Sequence, residues 1–132
     1  AAAARVGAPL GHDFCVINLS DNLKPWAIIE QRLRLALQAD FAMAFYNPRS
    51  KSRPEGFRKT MQILKSYGGG DRPVIFARAV STPDESIMIV PLAEAQPDMA
   101  DMQTVVLVGS SQTRTLWHKG ALLAYTPRSV KG

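Results

Sequence analysis

The spacing of apolar residues changes repeatedly along the chain, and each change predicts a different element. Residues 14–19 form a short apolar run that ends in the polar Ser20, which predicts a buried strand. From Pro25 onward, apolar residues recur every three or four positions, as in an amphipathic helix of about 14 residues. The apolar stripe of this helix consists of Trp26, Ile29, Leu33, Ala36 and Leu37.

A second strand and a second helix follow. Residues 41–46 predict a strand that ends at Asn47, because a residue before proline is pushed out of helical geometry. Pro54 begins the second predicted helix, since proline at the first helical position sacrifices no hydrogen bond. The glycines at 68–70 end this helix. Its apolar stripe consists of Phe57, Met61 and Leu64.

The second half of the chain predicts strands with little helix between them. A turn at 81–84 joins the first two strands, residues 91–101 predict a short helix or a loop, and the tail from Trp117 has no clear period. Strand–helix alternation followed by a strand pair predicts an α/β fold, a three-layer mixed sheet that is parallel in part with an antiparallel pair at one side. The strands of this half are residues 73–77, 86–90 and 104–108.

The composition fits a single globular domain, because 46% of the 132 residues are hydrophobic and 20% are charged. All wholly apolar runs are far shorter than the ~20 residues of a membrane span. Cys15 is the only cysteine, so neither an internal disulfide nor a thiolate zinc site can form. A single cysteine predicts a reducing, cytoplasmic location, and its place in an apolar strand predicts that Cys15 is buried in the core.

The first residues predict a domain boundary. Residues 1–5 have high helix propensity but no capping residue before them, and Gly7 and Pro9 supply a helix end. We therefore expect residues 1–10 to be the end of a linker helix from a missing N-terminal domain. Residues 11–132 are expected to form a C-terminal α/β domain. A short frayed terminus or a cloning remnant is the alternative.

The net charge of +5 favours polyanionic partners, among them nucleic acid, anionic lipid and small polycarboxylates. Arg49, Lys51 and Arg53 form a basic stretch whose guanidinium groups could pair with ligand carboxylates, although a solvated basic turn is the common alternative. The aromatic residues Trp26 and Phe57 fall on core stripes instead of alternating with basic residues. Their position argues against nucleic-acid binding.

Familiar catalytic and phosphate-binding motifs are missing from the sequence. It has neither G-x-G-x-x-G nor the P-loop pattern, and Ser110 and Ser111 lack the G-x-S-x-G elbow. His12 and His118 lack metal-ligand spacing. His12 beside Asp13 could be an oriented base, but a hydrogen-bonded turn histidine is the commoner case. The residues alone therefore assign no catalytic side chain and no metal.

Three polar loops each follow an apolar strand, at residues 47–49, 78–82 and 109–113. In open α/β sheets, ligands bind beyond the carboxyl ends of the strands. If the three strands are neighbours, we expect these loops to converge on one crevice. On these observations alone, the chain is interpreted as an α/β domain with an anion-binding crevice.

Four stretches, in this order, carry a more specific signal: residues 7–21, 45–50, 73–85 and 108–114. Together they resemble the tetrapyrrole methylase family, and the second and fourth stretches favour its branch that methylates precorrin-3B at C17. The resemblance covers residues 1 to about 128. It implies two α/β domains with S-adenosylmethionine folded into the cleft between them, and this chain matches the C-terminal domain.

The resemblance also implies which residues of this half hold the cofactor. We add the hypothesis that Arg49 and Arg53 bind carboxylates of the acidic tetrapyrrole substrate. The catalytic residues stay unknown, no metal is expected, and neither nucleic acid nor membrane is an expected partner. A homodimer is expected because relatives commonly form one. The implied cofactor contacts are Tyr46, Asn47, Ala79, Val80, Gln103 and Thr104, with backbone groups of the last two at the adenine.

The implied reaction is attack of a macrocycle carbon on a sulfonium methyl group, with ring contraction to precorrin-4 in cobalamin biosynthesis. Such a displacement needs alignment and a desolvated pocket more than an acid or a base, which agrees with the missing motifs. The fragment alone is expected to be inactive, because half of the cofactor pocket is missing. The alternatives are another corrin-ring methyltransferase, a non-catalytic α/β binding or dimerisation module, and a nucleic-acid-binding fragment.

Overall fold

The computed structural model describes residues 7–8, 10, 12–22, 24–48, 55–67, 70–118 and 121–126. Strands, two helices and two short 3₁₀ turns at Leu92–Glu94 and Pro97–Met99 occupy these ranges. The helices are α1 (Trp26–Gln38) and α2 (Glu55–Ser66). The strands are β1 (Gly7–Ala8), β2 (Phe14–Asn18), β3 (Ala42–Tyr46), β4 (Pro73–Arg78), β5 (Ser86–Pro91), β6 (Thr104–Val108), β7 (Arg114–His118) and β8 (Ala121–Tyr125).

Five of the strands form one mixed sheet in the order β2-β3-β6-β4-β5. Strands β2 and β3 are parallel, whereas β6 runs antiparallel to both β3 and β4, and β5 runs antiparallel to β4. The predicted mixed α/β sheet with an antiparallel pair at one side is therefore confirmed. Strands β1, β8 and β7 form a second sheet of three strands.

Both helices cover the same face of the five-stranded sheet, because their apolar stripes join one core cluster with residues of that face. Helix α1 begins directly after Pro25, as predicted, and Trp26 lies half-buried at the margin of the core. The ring of Trp26 lies 5.5 Å from the Nζ atom of Lys59. The helical residues buried in the cluster are Ile29, Leu33, Ala36 and Leu37 of α1 and Phe57, Met61, Ile63 and Leu64 of α2.

The opposite face of the sheet packs against the second sheet. Ala124 of β8 is fully buried in a cluster with Ala44, Ile75, Ala77 and Leu107 of the five-stranded sheet. The three expected layers are therefore helices, a mixed sheet and a smaller sheet. The tail has no clear apolar period, yet β7 and β8 pair there as an antiparallel hairpin.

Strand β2 is an edge strand, and the prediction that it is buried is wrong. Within the described ranges it pairs with β3 alone, and Phe14 and Val16 are 46% and 58% exposed. Cys15 points to the helix side and is only half-buried, so the prediction that it is a core residue is also wrong. Partial burial raises the pKa of its thiol.

Several predicted features fall on residues outside the described ranges. Residues 1–6, where the linker helix is expected to end, are among them, and Gly7–Ala8 pairs in parallel with β8. Helix α2 ends at Ser66, just before the predicted glycine stop, of which residues 68 and 69 are outside. The helices that the structure describes include none long and apolar enough to cross a membrane.

Replacing Phe57 by alanine tests the helix-side core. The Phe57 side chain is fully buried, and its ring packs edge-on against Phe76 with centroids 6.5 Å apart. We expect Phe57→Ala to lower the free energy of unfolding by about 3–5 kcal/mol, because it leaves a cavity. Leu35→Ala is the control, since Leu35 is 55% exposed on α1, and it should cost less than about 0.5 kcal/mol. Urea denaturation measures both, and equal losses would contradict the assignment of this core.

Candidate functional site

The directions of the strands decide which loops meet. Strands β3 and β4 are each antiparallel to β6, which lies between them, so the ends of β3 and β4 meet the beginning of β6. This edge of the sheet, here called the Asn47 edge, brings together residues 46–47, 79–80 and 103–104. All six cofactor contacts implied by the resemblance therefore lie at one edge.

The loop at 109–113 lies at the opposite edge, so the expectation that three loops converge is wrong for this loop. It follows β6, which runs antiparallel to β3 and β4, and therefore leaves the sheet where those strands begin. The Gly109 amide donates to the Pro73 carbonyl at 2.9 Å. The Ser111 amide donates to the Asp40 carboxylate at 2.8 Å, and Arg72 lies 3.4 Å from the same carboxylate.

Asn47 anchors the first segment of the Asn47 edge. Its backbone is left-handed, with a φ of 53°, a conformation that asparagine tolerates better than most residues. The Asn47 side-chain amide donates to Oδ1 of Asn18 at 3.1 Å, and the Lys24 ammonium donates to the Asn18 carbonyl at 2.8 Å. Tyr46 precedes this turn as the last residue of β3 and is exposed. The ends of β2 and β3 are thus tied together by side chains.

The second segment is a tight turn after β4. Ala79 and Ser81 both have left-handed backbone, with φ values of 50° and 66°. The Ala79 carbonyl accepts hydrogen bonds from the amide and the hydroxyl of Thr82, at 3.1 and 2.6 Å. Val80 packs against the cluster on the second-sheet side. The bulk of Val80 is accommodated in that cluster, and the small Ala79 leaves the backbone accessible.

The third segment begins β6 and is held by Asp101. The Asp101 carboxylate accepts hydrogen bonds from the Gln103 amide and the Thr104 hydroxyl, both at 2.9 Å. The Thr104 hydroxyl in turn accepts a hydrogen bond from the Asp101 amide at 2.9 Å. Thr104 is buried, whereas Gln103 is exposed. The side chain of Gln103 is therefore exposed, while hydrogen bonds to Asp101 hold the backbone of this segment in place.

An ion pair links this segment to β4. Nε of Arg78 lies 2.5 Å from Oδ2 of Asp101, and both side chains are about half exposed. The hydrogen bond from Arg78 holds the pKa of Asp101 below its ordinary value, although partial burial works against it. The same bond raises the pKa of Arg78. The pair is therefore fully charged at neutral pH.

Sequence reasoning placed Arg78 in a polar loop of the expected crevice without a partner, and it gave Asn18, Lys24 and Asp101 no role at this site. A local signal existed for Asp101, because an aspartate that precedes a threonine by three residues is typical of turns with side-chain caps. No nearby residue indicates the ion pair of Arg78, because its partner Asp101 lies 23 residues further along the chain. The predicted substrate residues Arg49 and Arg53 lie outside the described residues.

Comparison with known proteins gives the geometry a family context. A family model described as Tetrapyrrole (Corrin/Porphyrin) Methylases matches residues 1–96. The precorrin-3B C(17)-methyltransferase of Sinorhizobium sp. is 53% identical over 133 residues, which cover 100% of this chain and 52% of that protein. The crystal structure of the methyltransferase CobJ has a TM-score of 0.88 at 58% identity and covers 96% of this chain and 51% of that chain.

A more distant structure shares the fold alone. It is the uroporphyrin-III C-methyl transferase from Thermus thermophilus complexed with S-adenyl homocysteine, with a TM-score of 0.51 at 15% identity. The match covers 83% of this chain and 46% of that chain. The chain therefore spans about half the length of each protein compared here.

The ion pair between Arg78 and Asp101 predicts a dependence of stability on pH. A carboxyl group with a lowered pKa stabilises the fold above its unfolded pKa, about 3.9 for aspartate, and this contribution is lost as the pH falls through the lower folded value. We therefore expect the difference in melting temperature between the wild type and Asp101→Asn to be constant near neutral pH and to shrink below about pH 4.

The exposed carboxylate of Asp98 supplies the control for this experiment, because Asp98→Asn removes one negative charge from the neighbouring 3₁₀ turn. Thermal unfolding followed by circular dichroism at several pH values measures the three proteins. A wild-type advantage over Asp101→Asn that stays constant down to about pH 2 would contradict the lowered pKa of Asp101.

Proposed function

Since this chain belongs to the tetrapyrrole methylase family, we propose that it is the C-terminal half of an S-adenosylmethionine-dependent methyltransferase acting on precorrin-3B at C17. In this proposal, the linker helix ends within residues 1–10, before strand β1 at Gly7–Ala8, and residues 11–132 form the C-terminal domain. Relatives about twice as long support a further domain. The observation that carries the proposal is that all six implied cofactor contacts share the Asn47 edge.

The chemistry of this edge fits one side of an adenosine-containing cofactor. Asn47 and Gln103 present neutral amide groups, which can donate to and accept from a base or a ribose. Gln103 precedes β6, which lies between β3 and β4, and Ala79 follows on the β4 side as a small residue on left-handed backbone, so a flat ring can approach the main chain closely there. The Thermus thermophilus protein is complexed with S-adenyl homocysteine, and this supports an adenosine-containing ligand of the same class for this chain.

S-adenosylmethionine would supply a methyl group on a positively charged sulfur, and the macrocycle carbon would take that methyl group by direct displacement. This chain's residues then have a binding and orienting role: Asn47, Ala79 and Gln103 fix one end of the cofactor. Alignment of the reacting atoms and exclusion of water supply most of the acceleration in such a transfer. Ring contraction to precorrin-4 belongs to the proposal as the accompanying step in cobalamin biosynthesis.

Charge supports an acidic substrate. The net charge of +5 attracts a macrocycle that carries several carboxylates, and Arg49 and Arg53 follow the Asn47 edge directly in sequence. Guanidinium groups bind carboxylates bidentately, so we assign these two residues to the substrate. A cytoplasmic homodimer without nucleic-acid or membrane partners completes the proposal.

Cofactor binding tests the assignment of the Asn47 edge. We expect the protein that includes the proposed upstream half to bind S-adenosylhomocysteine in a calorimetric titration. Asn47→Trp should weaken this binding by at least about tenfold, because a large side chain fills space at the Asn47 edge that the cofactor would occupy. Asp71→Trp is the control, since Asp71 is exposed just before β4, at the opposite edge. A folded protein that binds no S-adenosylhomocysteine would refute the proposed function.

Reversing charge tests the substrate residues separately. We expect Arg49→Glu and Arg53→Glu to raise the KM for precorrin-3B about tenfold or more, because each replaces a guanidinium that binds a substrate carboxylate by a group that repels it. The affinity for S-adenosylhomocysteine should stay unchanged. Arg32→Glu makes the same change on an exposed position of α1 and should leave both values unchanged. Equal losses of substrate and cofactor affinity would show that Arg49 and Arg53 have a different role.

A further inference from the structure

Asp101 is not one of the six implied cofactor contacts, yet it contacts both Gln103 and Thr104 at the beginning of β6 and Arg78, the last residue of β4. One carboxylate oxygen accepts from the Gln103 amide and the Thr104 hydroxyl at 2.9 Å, and the other lies 2.5 Å from Nε of Arg78. Three donors therefore meet at its carboxylate, from Arg78 of β4, Thr104 of β6 and the Gln103 amide just before β6, and its own amide donates to the Thr104 hydroxyl.

The regular ladder between β4 and β6 stops where Arg78 pairs with Thr104. Beyond this pair, the Ala79 amide donates to the Gln103 carbonyl at 3.1 Å. The position of Gln103 relative to Ala79 thus depends on this bond and on the network around Asp101. Asp101 thus ties the Gln103–Thr104 segment to Arg78, next to the bond between Ala79 and Gln103.

The turn after β4 needs such support. Ala79 and Ser81 both adopt left-handed backbone, which is strained for non-glycine residues and persists only where the surroundings over-determine it. Arg78 immediately precedes this turn, and its guanidinium is fixed by Asp101. An aspartate is suited to this position because an ionised carboxylate accepts several hydrogen bonds at once and carries the charge that Arg78 requires.

We propose that Asp101 is a positioning residue for adenine recognition, which sets the Gln103–Thr104 backbone at a fixed distance from Ala79. The proposal rests on the proposed function, in which this backbone faces the adenine of the cofactor. A site that reads a base by hydrogen bonds discriminates only when its donors and acceptors are held in place. Asp101 therefore determines how selectively the Asn47 edge binds adenine, without touching the cofactor itself.

The test compares two ligands that differ only in the base. S-inosylhomocysteine carries hypoxanthine, which replaces the adenine amino group by a carbonyl and thereby exchanges a donor for an acceptor. The ratio of its Kd to that of S-adenosylhomocysteine measures selectivity, whereas a general loss of structure weakens both ligands alike. Calorimetry on the protein that includes the proposed upstream half gives both constants.

We expect the wild type to prefer S-adenosylhomocysteine, and Asp101→Asn to reduce this preference about five- to tenfold, the effect of a misplaced hydrogen-bonding backbone. Thr104→Val removes the hydroxyl at nearly constant volume and should reduce the preference similarly. Thr104→Ser keeps the hydroxyl and should show the wild-type preference. Asp98→Asn, an identical substitution on an exposed turn, should leave the ratio unchanged.

Each outcome has a distinct meaning. A wild type that binds neither ligand refutes the proposed function, and the role of Asp101 with it. A wild type that binds both ligands equally, or variants that keep the wild-type ratio, overturn the role of Asp101 and leave the proposed function standing. If Asp101→Asn does not fold, the comparison of Thr104→Val with Thr104→Ser decides, because both retain the carboxylate.

Discussion

The fold depends on β6 pairing on both of its sides. It inserts between β3 and β4, runs antiparallel to each, and buries Val106, Leu107 and Val108. Alternate residues of β6 serve the helix-side core and the core beneath the second sheet, so one strand supplies both clusters. The direction of β6 also determines which loops lie together. The beginning of β6 lies beside the ends of β3 and β4, whereas the end of β6 lies at the other edge. Packing and the location of the site are thus consequences of the same pairing.

The periodicity of the sequence predicted most elements well, because a helix stripe and a strand run leave different spacings. Helix α1 begins where Pro25 allows, and β6 has the predicted bounds. The direction of a strand leaves no pattern in the spacing of apolar residues. The sequence therefore could not predict at which edge of the sheet the loop at 109–113 lies. The burial of β2 was overestimated because an apolar run does not reveal whether both faces of a strand are covered: Ile17 packs in the helix-side core, whereas Phe14 and Val16 on the other face are exposed. The hairpin of β7 and β8 was missed because its residues lack clear alternation.

The candidate site came from motifs more than from composition. The residues alone indicated the loops at 47–49 and 78–82 and predicted that they converge, which the strand order bears out. Gln103 and Thr104 came from the family resemblance alone, because their proximity to Ala79 depends on pairing across 24 or more residues. A similar distance concealed Arg78 as the partner of Asp101. The structure also shows how the bulk of Val80 is accommodated beside the turn: its side chain packs against the core cluster beneath the second sheet.

The exposed edge of β2 has a consequence for handling the protein. Among the residues that the structure describes, β2 has a neighbouring strand on one side, and Phe14 and Val16 are exposed on its face, which makes β2 a template for pairing with another chain. The opposite edge strand, β5, ends in Pro91, which cannot donate a backbone hydrogen bond and so limits such pairing. A single lysine on the exposed face of β2 would oppose such pairing during purification or refolding.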